Sequence, residues 1–97
     1  MIRHIRFRPQ AEDEVLEAQL WYEERKPGLG SEFAASVSDT ISRIADNPLA
    51  FPVACGETRR AVLRRFPYAV YFRLLDDNVI VLAVHGRQHP RRWQDRT

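Results

Sequence analysis

One cysteine, Cys55, stands in this chain of 97 residues, so no intrachain disulfide can form and a reducing compartment suits the sequence. Nothing around Cys55 marks it as a nucleophile, and it reads as a small, half-buried loop residue. Long hydrophobic runs are missing too. The longest, Val79 to Val84, has six residues and is far too short to cross a bilayer. Met1 to Arg8 alternates charged with apolar residues and lacks the continuous apolar stretch of a signal peptide. A cytoplasmic protein with no membrane partner is therefore expected. Internal repeats and low-complexity segments are absent. The length fits one domain, residues 1–97, with a thin core that buries about 60–65% of the surface exposed by the unfolded chain.

Lysine is also nearly absent: fourteen of the fifteen Lys and Arg residues are arginine. Arginine's planar fork binds phosphates and carboxylates through two parallel hydrogen bonds and stacks on bases. The net charge of +2 hides an asymmetry, with +3 over residues 1–8, −7 over 9–57 and +6 over 58–97. The C-terminal half therefore asks for an anionic partner, and the bland alternative is a solvated, salt-bridged surface.

The organising stretch is Arg59 to Arg87, read as three consecutive strands. Ala61 and Leu63 alternate with charged residues, Phe66-Pro67 breaks the strand, and Tyr68 to Leu75 and Val79 to Val84 are rich in strand formers. The two apolar runs suit central positions with both sheet faces occupied. Asp76-Asp77-Asn78 between them tolerates the positive φ of a tight hairpin. Upstream, Ile5 and Phe7 form a short first strand ended by Pro9. A helix from Pro9 to about Glu24 has Ala11, Val15, Ala18 and Tyr22 on its apolar face, with Leu16, Leu20 and Trp21 widening the stripe to reach two neighbours. Glu12, Glu17, Glu23 and Glu24 make the rest of that helix acidic. Pro27 to Gly30 is a compact turn, Ser31 caps a second helix from about Glu32 to Asp46, and Asn47-Pro48 ends it. Leu49 to Glu57 reads as an irregular loop anchored to the core by Phe51, Pro52 and Val53.

With these features in place, the chain resembles the RelE/ParE superfamily of toxins from type II toxin-antitoxin systems. The carriers are Trp21-Tyr22-Glu23, Gly28-Leu29-Gly30 with Phe33, Ile44 through Pro48, Phe51-Pro52, Arg59-Arg60, Leu63 through Tyr71, and His85, Arg87, Pro90 and Trp93. The resemblance implies an α+β fold of β-α-α-β-β-β order, with the N-terminal strand and the helical hairpin on a twisted, mainly antiparallel sheet. It also implies a cognate antitoxin; no cofactor and no metal are expected. RelE-like members cleave ribosome-bound mRNA with basic side chains on one sheet face, whereas ParE-like members poison DNA gyrase and need no catalytic constellation. In RelE-like members an arginine follows the tyrosine that is Tyr68 here, but this chain has Ala69. Arg60 matches one basic position, Val62 replaces the second, and the late tyrosine is missing. The ParE-like reading follows, with mRNA cleavage by His85, Arg60 and Arg87 as one alternative and a non-toxic binding module as another.

Arg59, Arg60, Arg64, Arg65, Arg73 and Arg87 are the candidates for holding an anionic partner. Strand alternation sends Arg59, Arg60, Arg64 and Arg65 to both sheet faces, while Arg73 and Arg87 fall at the outer ends of adjacent hairpin strands. Arg91, Arg92, Trp93 and Arg96 are the candidates for binding the target, because tryptophan and arginine dominate interface hot spots. His85 is either a hydrogen-bonded structural histidine or an acid–base group. His85 and His89 are four residues apart across a glycine at a strand end, which is not a helical metal pair.

Overall fold

The computed structural model describes residues 4–86. The chain runs β1 (His4–Phe7), α1 (Pro9–Arg25), α2 (Leu29–Asp46), a short 3-10 turn (Pro48–Ala50), β2 (Val53–Cys55), β3 (Thr58–Val62), β4 (Tyr68–Leu75) and β5 (Asn78–Gly86). The five strands form one sheet in the order β1-β5-β4-β3-β2. Only β1 runs parallel to its neighbour, β5; the other pairs are antiparallel. The α+β class and the helical hairpin packed on one face agree with the sequence reading.

Each helix boundary has a local cause. Pro9 opens α1, where its missing N–H is no loss, and the Arg8 carbonyl accepts the N–H groups of Ala11 and Glu12. Ser31 does not cap α2. The cap is Gly28, at φ 90°, and the carboxylate of Glu23 takes the N–H groups of Gly28 and Gly30 at 2.9 and 3.0 Å. An acidic side chain from one helix thus satisfies the positive end of the next, and α2 begins three residues earlier than expected. Hydrophobic burial then holds the layers together, with Ala11, Ala18, Phe33, Ile44, Val70, Phe72, Val79 and Val81 almost inaccessible to water. An aromatic cluster of Tyr22, Phe33, Phe66 and Tyr68, with ring centroids 4.9–6.0 Å apart, fills the space between the hairpin and one end of the sheet.

Several expectations require correction. Leu16 and Leu20 are 57% and 64% exposed and do not join a second packing surface. The Leu49–Glu57 segment is not wholly irregular: Val53–Cys55 pairs with β3 across a turn at Gly56, φ 56°. The strand is short and exposed, with little periodicity for a sequence pattern to reveal. Of its expected anchors only Phe51 packs on the core, against Phe72, while Pro52, Val53 and Cys55 are exposed. β4 and β5 are central, but both helices lie on the same face, and among the described residues nothing layers over the other. Asp76, at φ 57°, does supply the positive φ expected of the β4–β5 turn.

Candidate functional site on the open face of the sheet

Cross-strand partners point to the same side of a sheet, so the register of β3, β4 and β5 fixes what the open face carries. One row joins Arg60, Tyr71 and Ala83, and the next joins Val62, Ala69 and His85. His85 reaches this face because of a bulge. Tyr71 pairs with Ala83 and Phe72 with Val81, leaving Leu82 as the extra residue of β5. Strict alternation from buried Val79 and Val81 would have turned Ala83 and His85 toward the helices; the bulge buries Val84 instead and sends His85 outward.

A cleft of about 330 Å³ lies over these rows, lined in part by Arg60, Val62, Ala69, Tyr71 and His85. A second concavity of about 340 Å³ on the same face shares Tyr71 and His85 and adds Thr58, Leu82 and Ala83. The His85 and Tyr71 rings meet edge to face at 5.7 Å. Among the described residues, the Arg60 guanidinium forms no hydrogen bond or ion pair, which leaves its fork available to an incoming anion.

His85 also meets a residue that sequence reasoning missed. Glu14, on α1, is buried; its Oε1 accepts the Val84 N–H at 2.8 Å, and its Oε2 lies 3.4 Å from His85 Nε2. The signal was present in weak form, since Glu14 falls three residues after Ala11 and four before Ala18 on the buried face. An acid flanked by Glu12, Asp13 and Glu17 nevertheless reads as part of a solvated helix surface.

The other expected anion-binding arginines separate. Arg59 turns inward and donates from Nη1 to the Phe51 carbonyl at 2.7 Å, pinning the segment before β2. Arg64 and Arg65 do not alternate along a strand, because β3 ends at Val62 and both lie in the turn to β4, Arg65 at φ 73°. Arg65 pairs with Glu32 at 2.6 Å, and the Arg64 carbonyl accepts the Ser36 hydroxyl at 2.9 Å. Arg73 pairs with Glu57 at 3.0 Å and stands opposite Ile80, close to the β4–β5 turn, not at the outer end of the hairpin. Arg87, Arg91, Arg92, Trp93 and Arg96 lie outside the described residues. Among the described residues there is no group of three or more metal-ligating side chains. No helix among them is long and apolar enough to cross a membrane.

A separate apolar groove of about 280 Å³ lies beside the helical hairpin, lined by Phe7, Glu12, Val15, Leu16 and Val37. It collects the otherwise unexplained exposure of Leu16.

The family model for the ParE toxin of the type II toxin-antitoxin system parDE matches residues 5–90. Toxin ParE2 of Mycobacterium tuberculosis is 32% identical over 92 residues, which cover 93% of this chain and 88% of that protein. Among solved structures, the chromosomal ParDE system of P. aeruginosa aligns with a TM-score of 0.64 at 13% identity, over 88% of this chain and 96% of that one. The RelBE2 toxin-antitoxin complex of Mycobacterium tuberculosis gives 0.61 at 22% identity, over 90% and 100%. The E. coli DinJ-YafQ toxin-antitoxin complex gives 0.62 at 16%, over 94% and 97%. At these identities the structural likenesses establish the fold alone.

Proposed function

Since the chain belongs to the ParE family of toxins from type II toxin-antitoxin systems, we propose that it arrests growth by inhibiting DNA gyrase and is neutralised by a cognate antitoxin. The observation that carries the gyrase reading is the pairing of Val62 with Ala69. These are the two positions where the RNA-cleaving pattern wants basic side chains, and here they are cross-strand neighbours forming an apolar floor, with Val62 53% exposed. A surface that has exchanged cations for apolar groups while keeping its fold favours binding over acid–base work. Arg91, Arg92, Trp93 and Arg96 then serve as cationic and aromatic anchors on the target. The antitoxin covers the groove at Leu16 or the basic sheet face, as an acidic amphipathic segment that orders on binding. A supercoiling assay with purified gyrase tests this reading: inhibition with trapped DNA breaks is expected, and neither effect at micromolar excess of toxin refutes it.

Ribosome-dependent mRNA cleavage is the second reading, favoured by one observation. Arg60 and His85 line a single cleft, and a buried carboxylate stands behind the histidine. Arg60 then holds the scissile phosphate and His85 moves a proton. His85→Ala is expected to slow cutting by about 100-fold or more; unchanged cutting by that variant, or none by the parent, removes this reading.

A further inference from the structure

Glu14 is 2% exposed on a helix whose other acids face water. Burying an ionised carboxylate costs several kcal/mol unless its oxygens are satisfied. The fold supplies one donor by ending β1 early. Pairing of β1 with β5 stops at Phe7 and Val81, so among the described residues the outer edge of β5 beyond that point has no strand beside it, and the Val84 N–H is taken by Glu14 Oε1. A backbone N–H can only donate, which commits Oε1 as its acceptor and restricts rotation of the carboxylate. Oε2 then faces His85 Nε2 at 3.4 Å. A ring nitrogen facing a carboxylate oxygen is favoured in its protonated form, and the partner of one nitrogen decides the state of the other.

We propose that Glu14 is a positioning residue for His85: it keeps the proton on Nε2 and fixes the ring at the cleft lined by Arg60 and Tyr71. The ligand this arrangement suits is a phosphodiester of a single nucleic-acid strand. Arg60 supplies a forked cation for the phosphate, Tyr71 a ring against which a base can lie, and His85 a nitrogen of fixed protonation. This use rests on the second reading above; the coupling of Glu14 to His85 rests on the geometry alone.

The test separates the two. Long-range proton–nitrogen NMR on the full-length, 15N-labelled chain, at about pH 8 where an ordinary imidazole is neutral, is expected to show His85 protonated on Nε2. In Glu14→Gln, the amide oxygen must still serve the Val84 N–H, so the amide NH₂ faces His85 Nε2 as a donor. The proton is then expected on Nδ1, with the Val84 amide resonance reporting that the fold is kept. Protonation on Nδ1 in the parent overturns the coupling without recourse to any variant, as does an unchanged tautomer in folded Glu14→Gln. The use is read on ribosome-bound message and on an eight-nucleotide uridine strand. Glu14→Gln is expected to slow cutting by about 100-fold while binding the strand within twofold of the parent. Failure of the parent to bind the strand overturns the assigned ligand, and cutting by Glu14→Gln at the rate of an active parent overturns the positioning role.

Discussion

Glu23 and Gly30 close the helical hairpin at its turn: the Glu23 Oε1 accepts the Gly30 N–H at 3.0 Å, and a Cβ on Gly30 would stand 2.6 Å from the Gln19 carbonyl oxygen. Two changes follow from one contact. Glu23→Ala removes the acceptor at the start of α2 and is expected to cost about 1 kcal/mol, in the range of a lost helix cap. Gly30→Ala drives a methyl into the backbone of α1 and is expected to cost about 1–3 kcal/mol. Urea unfolding checks both, with a lowered midpoint at unchanged slope as the expected result and an unshifted midpoint as the contrary one.

Gly86 and Tyr68 are cross-strand partners, and the Tyr68 ring lies where a Gly86 side chain would sit, 2.6 Å from an added Cβ. Gly86→Ala must displace that ring from the cluster it forms with Tyr22 and Phe33. The expected loss is about 1–3 kcal/mol, equivalent to a fall in melting temperature of about 4–8 °C for each kcal/mol in a domain of this size. Reduced near-ultraviolet dichroism should accompany it, and an unchanged spectrum would contradict the packing described.

Arg59 and Arg60 are adjacent in sequence and opposite in role. Arg59→Ala leaves the Phe51 carbonyl without its charged donor and is expected to destabilise the fold by about 1.5–3 kcal/mol. Arg60→Ala removes an exposed side chain and is expected to leave stability within about 0.5 kcal/mol, while weakening whatever anionic partner occupies the open face. Thermal melts of the two variants side by side decide this; equal losses would mean that the strand faces are misassigned.

Leu16 and Leu20 cost the free protein exposed apolar surface that no core contact explains. Leu16→Arg with Leu20→Arg is expected to change stability little and to weaken antitoxin binding at least tenfold, as the loss of an interface anchor does. Titration calorimetry with the purified antitoxin gives the answer, and an affinity within twofold of the parent would place the antitoxin elsewhere.

Most of the architecture was legible because periodicity and punctuation carry it. Ala11, Ala18 and Tyr22 show a helical repeat, Asp76-Asp77-Asn78 shows a hairpin, and Asn47-Pro48 shows a helix end. What was not legible depends on long-range geometry. The six apolar residues from Val79 hide the bulge at Leu82, since an unbroken run gives no sign of which face each residue takes, and so the orientation of His85 was open. Glu14 looked like one acid among four because its partners, Val84 and His85, are remote in sequence. The scattering of the arginines has a similar origin: Arg59, Arg65 and Arg73 are drawn away by Phe51, Glu32 and Glu57, contacts that no local pattern announces.

The parallel pairing of β1 with β5 sets a timetable for folding. β5 is the last of the described strands to be synthesised, yet it lies between β1 and β4 and carries much of the surface on which α1 rests. Glu14 and Val84, which join the first helix to that strand, are 70 residues apart. Contacts of such separation form only after the intervening chain has been made and its closure entropy met. During synthesis the helices therefore emerge without their platform, and the sheet cannot be completed until residues 78–86 have left the ribosome. A polypeptide released before residues 78–86 lacks the strand on which both halves depend, so incomplete copies cannot close the sheet.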